Sequence, residues 1–262
     1  MRTNNTLGIA LFLFAHQDDE FGVFFQIERE LRAGRQVRCV FITDGGQTAD
    51  PKRRNSESQR ALSKLGVPQE NIMFIGRCLA LLDGALHENV ESLANWLVSF
   101  FDMHSNIQSC FIPAWEGGHP DHDVLHAATT YFLAYHDRLE ILRQYSLYNN
   151  YNCPKPFFRI LSPLMENGPI EYQAVSIKDR LRYIRLCLGY PSQFKTWIGL
   201  FPFALAHFIF DGAQALQQVD IKRLSSRPHS GPLYYEYRNF LDWATMQRTV
   251  NQLHKIFPCK SL

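Results

Sequence analysis

The sequence lacks the features that mark several classes of protein. Within its 262 residues no apolar run reaches the ~18 residues of a membrane span, and there is no internal repeat or low-complexity segment. The 27 Lys and Arg nearly balance the 25 Asp and Glu, so the net charge of +2 indicates no basic surface for nucleic acid. The six cysteines lie far apart and form no CxxC pair, a pattern typical of reduced thiols in a cytoplasmic protein.

The chain also lacks a Ser/Gly-rich linker at which it could be divided. Its length and its 46% hydrophobic residues suit one α/β domain with a sizeable core, so we expect a single domain over residues 1–262. The pattern is clear over residues 7–150 and weaker over 151–262. Residues 197–210 are apolar and are expected in the core or in a homo-oligomer contact, with an exposed surface for a lipid-bearing substrate as the alternative.

Apolar runs and helical spacing alternate along the amino-terminal part of the chain. They predict five strands, at 9–14, 37–43, 72–75, 109–112 and 139–145. They also predict one helix that ends near Gly34 and four that span 56–65, 88–101, 124–135 and 178–189. This alternation predicts a Rossmann-like α/β fold, a mostly parallel sheet with helices on both faces. In the common strand order 3-2-1-4-5, strands 1 and 4 are neighbours where the order reverses, and ligands bind beyond the carboxyl ends of the strands.

A histidine and three acids follow the first predicted strand directly, in the stretch AHQDDE at 15–20. Acids at the start of a helix have an ordinary explanation, because they complement the free N–H groups and the helix dipole. That explanation does not account for His16. Since His16 and Asp19 are three residues apart across a strand-to-helix turn, both side chains can face one point.

A second cluster, EGGHPDH at 116–122, follows the fourth predicted strand. A turn with one or two solvated histidines is the ordinary explanation. If strands 1 and 4 are neighbours, however, the two clusters meet and offer two histidines and a carboxylate, the usual ligands of a catalytic zinc ion. The ligands we expect are His16, Asp19 and His122. Asp18 and His119 then remain free to move protons, and Asp121 can accept the second N–H of an imidazole.

With these residues in place, the sequence resembles the PIG-L/LmbE-like family of zinc-dependent N-acetylglucosamine deacetylases. The family motif usually written AHPDDE stands at 15–20 as AHQDDE, and the motif HPDH stands intact at 119–122. Shorter sequence features at 43–45, 54–57 and 83–84 also match the family, and the resemblance covers residues 7–135. The departure is Gln17, where proline is usual, and it should leave the turn less preorganised.

The resemblance implies a role for each residue of the two motifs. The family's metal ligands correspond to His16, Asp19 and His122, which would hold one Zn²⁺ per chain, with another divalent metal such as Fe²⁺ as the alternative. Its general base corresponds to Asp18, and its protonated, oxyanion-stabilising histidine to His119. Arg54 and Glu57 stand at positions that look like substrate contacts in the family.

The expected reaction is hydrolysis of the acetamide of an N-acetylglucosamine-type sugar, or of its small-molecule or lipid-linked conjugate, with release of acetate. A metal-dependent phosphoesterase and a noncatalytic sugar-binding protein on the same fold are the alternatives. If the protein is a noncatalytic sugar-binding protein, Gln17 would be the first sign that the catalytic motif has decayed. Candidates for residues that line the substrate pocket from the carboxy-terminal third are Arg223, Arg227 and His229.

Overall fold

The fold is taken from a computed structural model that describes residues 7–47, 49–154 and 157–259. Within them, the strands are β1 (Ile9–Phe14), β2 (Gln36–Phe41), β3 (Ile72–Phe74), β4 (Ile107–Pro113), β5 (Leu142–Tyr145), β6 (Tyr148–Asn149), β7 (Arg159–Ile160), β8 (Ile170–Ala174) and β9 (Ala213–Gln218). The helices are α1 (Phe24–Arg32), α2 (Pro51–Leu65), α3 (Gly76–Leu79), α4 (Val90–Met103), α5 (Pro120–Tyr135), α6 (Ile177–Cys187), α7 (Phe194–Ala206), α8 (Tyr234–Tyr237) and α9 (Trp243–Ile256).

The large sheet has seven strands in the order β3-β2-β1-β4-β5-β9-β8. The first five are parallel and stand in the predicted order, so the predicted α/β fold is confirmed. β9 and β8 extend the sheet as an antiparallel edge that the sequence pattern did not predict. β1 and β4 are therefore neighbours, and their carboxyl ends lie together at the reversal point.

β1 is buried along its whole length because helices cover both faces of the sheet. Its alternating side chains enter two different cores. Leu11 and Leu13 pack among residues of α4, α5 and α9, whereas Phe12 and Phe14 pack among residues of α1, α2 and the carboxy-terminal helices α6 and α7. The end of β1 is consequently held rigidly, which suits residues that must keep a precise geometry.

Two helices begin several residues earlier than the sequence pattern predicts. Asp50 caps α2 by accepting from the Lys52 N–H, and His119 caps α5 by accepting from the Asp121 N–H. In each helix a proline occupies the first position, where its missing N–H costs nothing. The early start of α5 places the whole HPDH motif at a helix N-terminus.

The apolar stretch 197–210 forms most of α7 and the single π-helical turn His207–Asp211. Its buried side chains, Trp197, Leu200, Ala204 and Phe208, belong to the core on one face of the sheet. Ile198, Ile209 and Phe210 are exposed, so the stretch is core on one side and surface on the other. Among the residues that the structure describes, none of the helices has both the length and the apolar character required to span a bilayer.

Candidate active site

A cavity of about 340 Å³ lies beyond the carboxyl ends of β1 and β4. Its amino-terminal wall carries five residues of the two motifs, together with Gln47, Arg54 and Asp83; the five are His16, Asp18, Asp19, His119 and His122. Its other wall comes from the carboxy-terminal half of the chain and consists of Tyr148, Phe158, Gln193, Gly199, Leu200, Tyr234, Arg238 and Phe240. Two loops that follow neighbouring strands thus meet in one concave site, as the fold requires.

The three expected metal ligands converge on the floor of this cavity, and all three are buried. His16 Nδ1 lies 3.2 Å from His122 Nε2, and Asp19 Oδ1 lies 3.0 Å from the same His122 nitrogen. The other carboxylate oxygen of Asp19 accepts from the backbone N–H of His16 at 2.7 Å. Tetrahedral zinc with ligand bonds of about 2.0–2.1 Å separates its ligand atoms by about 3.3 Å, so this donor set fits such an ion.

The second ring nitrogen of His16 faces two further carboxylates. His16 Nε2 lies 3.0 Å from Asp121 Oδ2 and 3.2 Å from Asp83 Oδ1. Burial alone would lower the pKa of His16, but the carboxylates of Asp83, Asp121 and Asp19 outweigh it and raise that pKa well above its usual value. A carboxylate on the distal N–H of a metal-binding histidine fixes which nitrogen is free to ligate, here Nδ1.

His16, Asp83, His119 and Asp121 form an overlapping group of potential ligands. Its two carboxylates already have other partners. Asp121 accepts from the N–H groups of Gly84 and Leu86, at 2.7 and 3.1 Å, and Asp83 Oδ2 pairs with Arg54 at 2.9 Å. This group therefore lies behind the candidate metal site, and the sequence marks Asp83 only through the family resemblance.

Asp18 lies beside the ligands in a strained conformation. Its φ of 109° is in a region that favours glycine, and such strain tends to be found at functional sites. Glu20 stabilises this turn by accepting from the Asp18 N–H at 2.9 Å and from the Tyr190 hydroxyl at 2.9 Å. Burial raises the pKa of Asp18 to about 8, and the positive charge of Arg54 opposes that shift.

His119 is held neutral by its surroundings. Its Nδ1 accepts from the Asp121 N–H at 3.2 Å, which leaves the proton of the neutral ring on Nε2. Burial lowers the pKa of His119 to about 3, and the positive charge of His16 acts in the same direction. The family resemblance implies a protonated histidine here; the Asp121 carboxylate, 4.0 Å from Nδ1, raises the pKa of His119 but does not offset burial.

The two expected substrate contacts have different positions. Arg54 lines the cavity, but its NH1 donates to Gly45 O and Asp83, and its NH2 to Gln17 O at 2.8 Å and Asp18 at 3.4 Å. Glu57 is buried and lies outside the cavity lining. It accepts from the backbone N–H and the hydroxyl of Ser192, and so holds the turn before α7.

Gln17 also points away from the cavity. Its side-chain amide donates to Asn55 Oδ1 at 2.7 Å and lies against Gly45, where an added Cβ would come within 2.0 Å of Gln17 Oε1. Gln17 therefore ties the turn after β1 to helix α2, an anchorage different from the stiffness that proline would give.

The three pocket-lining candidates from the carboxy-terminal third are wrong. Arg223 donates to Ser226 and to the carbonyls of Arg227 and Pro228, and Arg227 pairs with Glu236. His229 is buried beside Tyr151. None of the three lines the cavity. Tyr148, Tyr234, Arg238 and Phe240 do so instead, and no motif or periodicity singled them out.

Comparison with known proteins agrees with this arrangement. The PIG-L family model, described as GlcNAc-PI de-N-acetylase, matches residues 11–133. No curated protein matches the chain significantly. Several solved structures do match. The A40926 pseudoaglycone deacetylase Dbv21 is 20% identical with a TM-score of 0.58, over 82% of this chain and 99% of that one.

Two other deacetylases are similar to the same extent. The zinc-inhibited form of the teicoplanin deacetylase Orf2 is 15% identical with a TM-score of 0.58, over 81% of this chain and 99% of that one. The N,N'-diacetylchitobiose deacetylase of Pyrococcus horikoshii is 18% identical with a TM-score of 0.55, over 85% and 88%. At such identities the likeness establishes the fold alone. The family model spans both motifs, and the resemblance predicted from them is confirmed over residues 11–133.

Proposed function

We propose that the protein is a metal-dependent N-deacetylase that hydrolyses the acetamide of an N-acetylglucosamine-type sugar, or of its conjugate, to acetate and a free amine. One observation carries the proposal. The ligand atoms of His16, Asp19 and His122 lie within 4.8 Å of one another in a cavity that Asp18 and His119 also line. The deacetylases named above, whose names give the A40926 pseudoaglycone, teicoplanin and N,N'-diacetylchitobiose as substrates, support the choice of an acetylated amino sugar.

One divalent metal ion would be held by His16 Nδ1, His122 Nε2 and Asp19 Oδ1. Nitrogen and oxygen donors of this kind suit Zn²⁺, and Fe²⁺ accepts the same set. When bound, such an ion lowers the pKa of a water ligand and polarises the carbonyl of the amide. Because the teicoplanin deacetylase is known in a zinc-inhibited form, metal binding and turnover need separate measurements here.

Asp18 is the proposed general base. Its carboxylate lines the cavity, and its only ion-pair partner among the described residues is Arg54, at 3.4 Å. In its deprotonated form it can accept a proton from the attacking water. A buried carboxyl with a raised pKa also holds the proton that it has received, so we propose Asp18 as the group that then protonates the departing amine.

His119 is the proposed oxyanion donor. With Nδ1 engaged by the Asp121 N–H, a neutral ring presents Nε2–H as its donor. Such a donor stabilises negative charge that develops on the amide oxygen, an effect worth about 3 kcal/mol in comparable sites. In this proposal the neutral ring takes the place of the imidazolium that the family resemblance implies.

One experiment distinguishes the proposed deacetylase from a phosphoesterase and from a noncatalytic sugar-binding protein. Metal-loaded protein is offered N-acetylglucosamine, diacetylchitobiose and aryl phosphates, and amine and phosphate release are measured alongside the metal content. We expect amine release with one metal ion per chain. Phosphate release with two metal ions would indicate a phosphoesterase, and sugar binding without either product would indicate a binding protein.

Replacing Arg54 by glutamine should move the pH profile of turnover to higher pH. The base must be deprotonated, and the charge of Arg54 favours the deprotonated form of Asp18. Loss of that charge raises the pKa of Asp18, so the acid limb of kcat/KM shifts upward and activity at pH 7 falls. Arg54→Lys keeps the charge and serves as the matched control. An unshifted acid limb in folded Arg54→Gln protein would contradict the assigned base.

A further inference from the structure

A carboxylate is buried beneath the loop that follows β4. Glu116 is fully buried, and burying a charge is costly unless hydrogen bonds replace the lost water. Four donors supply them: the Ser146 hydroxyl and the Asn149 amide on Oε2, at 2.5 and 3.1 Å, and the N–H groups of Leu147 and Tyr148 on Oε1, at 2.6 and 3.0 Å. All four donors lie in residues 146–149, so one carboxylate holds this whole segment.

The segment 146–149 carries a tyrosine into the cavity. The Tyr148 ring lies 5.7 Å from that of His122 and 5.7 Å from that of Tyr234. Its side chain lines the cavity, and its hydroxyl has no hydrogen-bond partner among the described residues. An aromatic ring with a free hydroxyl offers a ligand both an apolar surface and a hydrogen-bond donor. Tyr148 therefore lies where a sugar would approach the proposed metal ligands.

We propose that Tyr148 contacts the sugar beside the metal ligands, and that Glu116 is the positioning residue that holds Tyr148 for this contact. Glu116 itself does not line the cavity, so it acts through Tyr148. The inference rests on the proposed function, because it names residues that bind the substrate of the same site.

The two glycines after Glu116 restrain the same wall of the cavity. A Cβ added to Gly118 would come within 2.1 Å of the Tyr148 carbonyl oxygen and 3.2 Å of its ring, so only glycine permits this approach. Gly117 O accepts from the Tyr234 N–H at 2.8 Å. Residues 116–118 therefore hold both tyrosines before a substrate arrives, which lowers the entropy lost on binding.

Glu116 is in turn anchored to the helix that carries His122. Asp123 of α5 accepts from the N–H groups of Glu116 and Gly117 through Oδ1, at 3.2 and 3.3 Å. The position of α5 is thus passed through Glu116 to Tyr148. This connection keeps the substrate-facing ring at a fixed distance from the ligand site.

Glu116→Gln disturbs this connection with little change of shape. In either orientation, the NH2 group of glutamine faces a donor of the segment 146–149, which is either the pair of backbone N–H groups or the Asn149 amide. The segment is then held less firmly. On methyl N-acetylglucosaminide we expect KM to rise about tenfold, while kcat per bound metal ion changes by less than about twofold.

A double-mutant cycle tests whether Glu116 acts through the tyrosine. Tyr148→Ala alone should raise KM by about tenfold or more. Added to Tyr148→Ala, Glu116→Gln should raise KM by less than about a further twofold, because no ring is left to position. A further rise as large as in the wild-type background would overturn the proposal, and so would an unchanged KM in Tyr148→Ala.

A purely structural role of Glu116 would give a different pattern. Loss of stability lowers the fraction of active protein, so the apparent kcat would fall and KM would stay unchanged; that result would overturn the proposal. Glu30→Gln is the matched control, because Glu30 is another buried glutamate, pairs with Arg35 at 3.1 Å and does not line the active-site cavity. We expect its KM to equal that of the wild type.

A milder variant applies if Glu116→Gln protein does not fold. Ser146→Ala removes one of the four donors to the carboxylate. It should raise KM by about threefold in the wild-type background and leave KM unchanged in the Tyr148→Ala background. The same rise in both backgrounds would overturn the proposal.

Failure of the proposed function would be recognised separately. If the wild type releases no amine, binding of methyl N-acetylglucosaminide is measured by calorimetry on the same four proteins, the wild type, the two single variants and the double variant. Weaker binding in both single variants without a further loss in the double variant would support the positioning role in a protein without deacetylase activity. Equal affinity in all four, or no binding by the wild type, would overturn it.

Discussion

Asp18→Asn protein is expected to lose turnover and to keep its metal. Asparagine has almost the same shape but cannot accept a proton from water, so kcat should fall by about 10²–10⁴-fold, the usual contribution of a general base. The ligand set at His16, Asp19 and His122 does not include Asp18, and the metal content should stay unchanged. Steady-state amine release and metal analysis of the same sample measure both quantities.

The matched control is Asp242→Asn, which exchanges the same groups far from the cavity. Asp242 caps α9 by accepting from the Thr245 N–H, and asparagine caps helices equally well. We expect its activity and stability to match the wild type. Asp18→Asn protein with ordinary turnover would disprove the assigned base, and loss of its metal would make Asp18 a ligand.

His122→Ala protein is expected to lose both its metal and its activity. His122 Nε2 lies within 3.2 Å of His16 Nδ1 and Asp19 Oδ1, so its removal leaves two ligands of three. Loss of a residue that only hydrogen-bonds a metal ligand lowers the affinity for metal by about 10–100-fold. Loss of the ligand His122 itself should lower that affinity further. Metal content after dialysis against a weak chelator is the measurement.

His119→Ala is the informative partner of that variant. His119 donates to no metal ligand, and its Nδ1 is engaged by the Asp121 N–H, so we expect the metal to remain and turnover to fall by about 10²–10³-fold. His254→Ala, on α9, controls for loss of an imidazole elsewhere. If His119→Ala loses the metal and His122→Ala keeps it, the two roles must be exchanged.

The parallel core of the fold and the convergence of His16, Asp19 and His122 could be predicted from the sequence for local reasons. Buried parallel strands form continuous apolar runs, and the two motifs stand immediately after two of them, so the strand order alone brings His16 and His122 together. The helix starts were misplaced because a histidine and an aspartate act as caps, and the pattern of apolar residues does not reveal capping.

The carboxy-terminal wall could not be predicted in the same way. Tyr148 in β6 and Arg238 at the end of α8 are ninety residues apart and are brought together only by tertiary packing around Tyr234. Positions of this kind have no periodicity, and an arginine in a loop resembles any solvated arginine until its neighbours are known. The same reason explains why Arg223, Arg227 and His229 were chosen wrongly.

The protonation state of His119 also could not be predicted from the motif. A motif carries residue identity, whereas the pKa of a histidine depends on which groups surround it. Here burial and the neighbouring His16 lower the pKa of His119 to about 3. A neutral donor therefore replaces the charged one in the proposed mechanism, with the residue itself unchanged.

The proposed reaction requires one metal ion, held by His16, Asp19 and His122, for the hydrolysis of a sugar acetamide. Acetate and free amine are measured together on N-acetylglucosamine conjugates, with protein loaded with Zn²⁺ or Fe²⁺ and with chelated protein. We expect equal amounts of both products, one metal ion per chain, and activity that is lost with the chelator and regained with metal. Release of neither product from any conjugate by protein that carries its full metal would disprove the proposed reaction.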